Sequence, residues 1–96
     1  MSEYLSNLSN AVTAMHGVSC SYAETVRVIE SMDGKEIWKG DVEAFELVGH
    51  SKASKAYAWG YEDSDGKIQY IAILNVPPIN SPREAVQAAI ASGKFS

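Results

Sequence analysis

Cysteine is almost absent from this chain, with Cys20 its only representative among 96 residues. A lone thiol excludes an internal disulfide framework and fits a reducing compartment. Histidine is scarce as well. His16 and His50 are the only two, and no pairing among them and Cys20 has the helix or knuckle spacing of a zinc site, so no metal is expected. No glycine-rich loop leads from a strand into a helix, which removes the usual phosphate cradle, and no cofactor is expected. The most apolar stretch, Tyr70-Ile71-Ala72-Ile73-Leu74, is far shorter than a bilayer crossing, so no membrane contact is expected. The opening Met1-Ser2-Glu3-Tyr4 lacks the basic start and apolar run of a signal peptide. These absences together place the chain in the cytoplasm. Positive charge is also in deficit, with 8 Lys and Arg against 12 Asp and Glu. Ten of those acids lie between Glu24 and Asp65, a balance that repels a phosphate backbone and argues against nucleic acid as the partner.

What is present reads as one α+β domain over residues 1–96, since this length cannot bury two separate cores. Leu5, Leu8, Val12 and Met15 recur at helical spacing, widened by Tyr4 and Ala11, and predict a helix over 3–15. Ser2 can cap its start and Gly17 suits a left-handed exit. From Thr25 to Leu47, β-branched residues alternate with charges around Asp33-Gly34, the dipeptide of a two-residue hairpin turn. Val26, Val28 and Ile29 belong to the first strand, and Ile37 to Leu47 form the second. Trp38, Val42 and Ala44 share one parity there, while Ile37, Phe45 and Leu47 share the other. A bulge at Gly40 would reconcile some of them.

Residues 49–55 form a connector, followed by Ala56-Tyr57-Ala58-Trp59-Gly60-Tyr61, with small residues on one face and aromatics on the other. Asp63-Ser64-Asp65-Gly66-Lys67 suits a three-residue loop ending in a left-handed glycine. That loop sets Asp63 opposite Lys67, Gly60 opposite Tyr70 and Trp59 opposite Ile71, whereas a four-residue loop would shift the pairing by one. The fourth strand covers Ile68 to Val76 and stops at Pro77-Pro78. Ser81-Pro82-Arg83-Glu84 then supplies a capping box for a helix running to about Ser92 and leaving at Gly93. The short connections predict a four-stranded antiparallel meander between an N-terminal and a C-terminal helix (α-β-β-β-β-α), with both helices on one face.

The run Trp38-Lys39-Gly40-Asp41-Val42-Glu43-Ala44-Phe45-Glu46-Leu47-Val48-Gly49-His50, then Ala56-Tyr57-Ala58-Trp59 and Val76-Pro77-Pro78-Ile79-Asn80-Ser81-Pro82, resembles a group of small, uncharacterised bacterial proteins. That group carries W-x-G-x-V-E-x-F-x-L-x-G-H, A-Y-A-W and V-P-P-x-x-S-P, and the likeness spans roughly residues 37–90. A proline often follows the Gly-His pair in the group, where Ser51 stands here. The resemblance implies a bacterial cytosolic protein and supports the strands; it implies no activity.

Two constellations could bind something. His50, Lys52 and Lys55, with Ser51 and Ser54, make a locally basic connector that could hold an anion or border a small pocket. The plainer reading is a solvated turn closed by His50. Tyr57, Trp59 and Tyr61 stand on one face of a strand and are either core under the helices or an open apolar surface. Cys20 has His16 four residues before it but lacks the third, orienting group of a nucleophilic site, so the pattern does not favour an enzyme. The expected function is a non-enzymatic interaction module that binds a protein partner or itself, as a homodimer, through the sheet edge or the aromatic face. The alternative is small-anion binding or catalysis beside His50.

Overall fold

A computed structural model describes residues 2–93 of the chain. Helix α1 (Glu3–His16) opens on Ser2, whose hydroxyl accepts the Leu5 N–H at 3.1 Å, and ends at Gly17 in the left-handed region. Four strands follow as an antiparallel meander, β1 (Ser19–Met32), β2 (Lys35–Val48), β3 (Lys55–Glu62) and β4 (Ile68–Leu74), in the spatial order β1-β2-β3-β4. Helix α2 (Pro82–Ala91) closes the chain, with the Ser81 hydroxyl accepting the Glu84 N–H at 3.2 Å and the Glu84 carboxylate accepting from Ser81 and from the Asn80 N–H. The α+β class and the α-β-β-β-β-α order are therefore as the sequence predicts.

Both turns follow their local chemistry. Asp33 and Gly34 take φ of 54° and 77°, the pair of positive angles that a two-residue hairpin demands. In the second loop the Asp63 N–H donates to the Lys67 carbonyl, Gly66 sits at φ 79°, and the register pairs Gly60 with Tyr70 and Trp59 with Ile71.

The expectation that both helices share one face is overturned. Ala56, Tyr57, Ala58 and Trp59 are all buried, so β3 is apolar on both sides and each side requires a cover. Helix α2 lies on the aromatic side, where Ala85, Val86 and Ala89 pack with Tyr57, Trp59, Ile71, Val28, Val42 and Ala44. Helix α1 lies on the small side, where Leu8 and Val12 pack with Ala56, Ala58 and Phe45. Met15, placed by its spacing in the α1 stripe, is half exposed.

The same arrangement removes the phase problem in β2. Its two parity sets serve two cores, and Gly40 pairs regularly with Val28. The bulges lie elsewhere, at Ala23 between the pairs Tyr22–Phe45 and Glu24–Ala44, and at Ile37 between Glu30–Trp38 and Ser31–Glu36. Gly40 is needed for a different reason, since a Cβ there would come within 3.1 Å of the Trp38 ring. Strand β1 also starts at Ser19, well before the Thr25 at which alternation becomes visible, because the last residues of β2 offer Ser19–Tyr22 a partner. Strand β4 stops at Leu74 rather than Val76; the Asn75 N–H still reaches the Lys55 carbonyl, and the Val76 N–H then folds back to the Leu74 carbonyl.

The sheet is continuous only at its centre. Strands β2 and β3 pair from Glu43–Ala58 to Glu46–Lys55 and then diverge. On the α2 side the Trp38 and Trp59 rings meet edge-on across the divergence at 5.7 Å. On the α1 side the Tyr4 hydroxyl accepts the Gly60 N–H at 2.9 Å. Burial raises the Tyr4 pKa, against the lowering effect of that N–H, and nearby Glu43, Tyr70 and Asp41 raise it further.

Candidate functional site

The predicted site residues are placed by three different elements and do not converge. Tyr57 and Trp59 are 4% and 1% exposed beneath α2, with Tyr61 partly buried beside them. The first two present no open ring face for a base or a partner. Tyr57 donates its O–H to the Asn80 carbonyl at 3.4 Å, and burial, followed by Glu24 and Glu84, raises its pKa.

His50 is occupied with its own turn. Its Nδ1 accepts the N–H groups of Lys52 and Ala53, each at 3.0 Å. A nitrogen accepting two backbone donors is unprotonated, so the ring acts as a turn clamp and offers no proton from that atom to an anion. Lys52 is exposed on this turn, while Lys55 lies in β3 opposite Glu46, a cross-strand neighbour of opposite charge.

Cys20 and His16 are likewise separate. The Cys20 thiol packs on α1, donating to the Ser9 carbonyl at 3.6 Å and lying 3.4 Å from the Ser9 hydroxyl. His16 Nε2 is 3.1 Å from the Ala72 carbonyl of β4. Among the described residues there is no cluster of three or more metal-ligating side chains, and no helix is long and apolar enough to cross a membrane.

One buried charge escaped the sequence reading. Glu43 is 4% exposed on the α1 side, where it shares the parity of Phe45 and Leu47. The Ala23 bulge turns Tyr22 and Thr25 onto this same side, with their hydroxyls 2.6 Å apart, and the Thr25 hydroxyl donates to the Glu43 carboxylate. A buried carboxylate needs such donors. The bulge that supplies them could not be located from pattern alone, because Ala23 has no turn chemistry. This hydroxyl relay solvates the charge and ties β1 to β2.

With α1 and α2 on opposite faces, the backbone groups that point out of the sheet lie along its two outer strands, β1 and β4. Strand alternation identifies which backbone groups face outward. The Gly60 N–H points away from β4, so Gly60–Tyr70 and, two residues along, Ala58–Ala72 are pairs that exchange no bonds with each other. The Ala72 carbonyl therefore faces out from β4, and His16 takes it. The same alternation carried through Ala58–Glu43 and Glu43–Thr25 turns the backbone groups of Thr25, Arg27 and Ile29 out from β1. Among the described residues no backbone bond other than those to β2 is made by β1.

At the far end of that edge, the hairpin tip and α2 enclose a groove of about 300 Å³. Met32, Ile37, Ile90 and Ala91 give it an apolar lining, with Gln87 and Glu30 at one side. Glu30 accepts from Arg83 and Gln87 of α2, at 3.4 and 3.3 Å, which holds the helix over the outer strand. Sequence reading missed the groove because it joins residues some fifty positions apart, and Ile37 enters it through a bulge.

No protein-family model, curated protein or solved structure matches the chain.

Proposed function

We propose that this chain is a protein-interaction module that binds by adding a strand along the outer edge of β1. The observation that carries the proposal is a 14-residue strand, free of proline, that pairs on one side only among the described residues. Natural sheets usually shorten, charge or cover such edges. Here the opposite edge follows that rule, with a 7-residue β4 and His16 on its Ala72 carbonyl, whereas the 14-residue β1 has only its bulge and a few charges. The Ala23 bulge restricts the flat part of the edge to Thr25–Met32. Its charges are largely committed at home, Arg27 to Asp41 and Glu30 to Arg83. Ile29 and Met32 are exposed along it.

A second copy is the partner available to every molecule, and antiparallel pairing of two β1 strands would extend the sheet across a twofold axis. The proposal locates the chain in the bacterial cytosol, on its single free thiol and on the resemblance of residues 37–90. Sedimentation velocity from micromolar to millimolar concentration tests the self-pairing. A reversible dimer is expected for the native chain, and a monomer for Arg27→Pro, which removes an outward N–H at a position where an edge tolerates proline. Ile29→Lys should weaken the dimer by repulsion at the same edge. Dimerisation that survives both changes would place the contact elsewhere.

A further inference from the structure

Among the described residues β1 pairs only with β2, and its outer side carries a fixed pattern of backbone groups and charges. Thr25, Arg27 and Ile29 turn their backbone groups outward, and the same alternation adds Ser31. The bulge at Ala23 and the turn at Asp33-Gly34 bound the regular stretch, leaving Glu24–Met32 as the length over which an added strand can pair. A second copy of the chain brings the same stretch in the opposite direction. Bonds form only where outward groups oppose outward groups, so a twofold pairing is centred on one residue. The choice of that residue fixes which charges meet.

Charge and backbone bonding select among the centres. A pairing centred on Arg27 sets Arg27 against Arg27 and Glu24 against Glu30, and one centred on Glu30 sets Glu30 against itself. Like charges directly opposite one another destabilise a sheet. A pairing centred on Val26 runs into the bulge, so only Thr25 and Arg27 exchange bonds freely. Centred on Ile29, no like charges meet, but Thr25 of each copy falls opposite the turn and loses its bonds. Centred on Val28, the whole stretch pairs. Thr25 then meets Ser31 and Arg27 meets Ile29, for roughly eight backbone bonds across the axis. Glu24, Arg27 and Glu30 face Met32, Ile29 and Val26, so every charge opposes a neutral side chain. Arg27 and Glu30 keep their ion pairs with Asp41 and Arg83 of their own chain. Exposed Ile29 gains the aliphatic stem of Arg27 from the second copy as a neighbour.

We infer that the β1 edge takes a second copy of this chain in one register, centred on Val28, with Arg27 of each copy beside Ile29 of the other. The inference rests on the proposed pairing along the β1 edge and adds its geometry. The product is a single continuous sheet, with both α1 helices on one face and both α2 helices on the other. Arg27 and Ile29 are the residues that determine the specificity of the contact.

Two measurements on the full chain test the register. In a millimolar mixture of isotope-labelled and unlabelled chain, an intermolecular nuclear Overhauser contact is expected between the Hα protons of Val26 and Glu30. These two residues face each other as a pair that exchanges no bonds, where the Cα atoms are closest. In sedimentation, Ile29→Glu should tighten the dimer about two- to tenfold, since the new carboxylate meets Arg27 of the other copy on both sides of the axis. That gain should vanish in an Arg27→Gln background.

A Val28–Glu30 contact, with weakening by Ile29→Glu, would show the register centred on Ile29 and overturn the inference. A gain from Ile29→Glu that persists beside Arg27→Gln would also overturn it, because Arg27 would not be the opposing group. A dimer that is lost in Arg27→Pro but shows neither contact would overturn the register while leaving the edge pairing intact. A chain that stays monomeric at millimolar concentration, or a dimer indifferent to Arg27→Pro, would overturn the edge pairing and the register together.

Discussion

The two faces of the sheet solve the same packing problem in opposite ways. On the α2 side the sheet carries the bulk, Trp59 and Tyr57, and the helix meets it with Ala85 and Ala89. On the α1 side β3 presents only Ala56, Ala58 and Gly60, and Leu8 and Val12 of the helix fill the space over it beside Phe45 of β2. Both results descend from one six-residue strand segment that alternates small and large. A strand's side-chain period of two makes such a segment a template for two unlike interfaces, each filled to close-packed density by a helix of complementary size. Among the described residues both faces of β3 are used in this way, which is why the proposed interaction is placed at an edge of the sheet.

The comparison can be broken most severely on the bulky side. Trp59→Ala should destabilise the fold by about 3–5 kcal/mol in urea denaturation, because it empties the centre of the α2 core and removes the ring that meets Trp38 across the divergence of β2 and β3. Leu8→Ala should cost about 3 kcal/mol, because Leu8 is fully buried over the small residues of β3. Native-state hydrogen exchange should then show α1 opening ahead of α2; simultaneous opening would mean the two cores are one cooperative unit.

Adding to the small side of β3 is a milder perturbation. A Cβ at Gly60 would meet the Tyr4 and Tyr70 rings at 3.3 Å, so Gly60→Ala should cost about 1 kcal/mol and lengthen the bond from the Gly60 N–H to the Tyr4 hydroxyl, seen as faster exchange of that amide. The smallest effect lies outside both cores. Asp63 is held below the usual carboxylate range by the Gln69 side chain, then by the N–H groups of Lys67 and Asp65. A depressed folded-state pKa means that its support of the β3–β4 loop is complete above the ordinary aspartate value, about 3.9, and is lost as pH falls through the lower folded value. Amide exchange at Lys67 should accelerate in that acid window, and Asp63→Asn should abolish the dependence.

Legibility followed the range of the interactions. The Asp33-Gly34 turn, the register set by Asp63–Lys67, and the Ser81–Glu84 cap were readable because each depends on residues within a few positions. The β3 alternation was readable too, but not which side a helix would cover, since aromatic and small surfaces can each be buried by a partner of complementary size. Gly40 attracted a bulge in the reading because glycine often marks one; in the fold it makes room for the Trp38 ring, a contact along the same strand that backbone pattern does not record. The candidate site was the least legible part. His50 and the Tyr57–Tyr61 aromatics drew attention by residue type; in the fold His50 Nδ1 accepts from its own turn, and Tyr57 and Trp59 lie in the α2 core. The β1 edge and the groove beside α2 are set by pairing and packing between distant parts of the chain, which no local pattern records.

By itself, then, the sequence determined the elements, their meander order and the pairing of β3 with β4, all through local torsional preference, capping and period. Only the tertiary structure decided that the helices take opposite faces, that β1 runs back to Ser19, that His16 reaches the Ala72 carbonyl of β4, and that Ile37 and Ile90 line one groove. These are long-range outcomes of packing. They depend on how surfaces from distant parts of the chain match in size and on which hydrogen bonds are left over once they have matched.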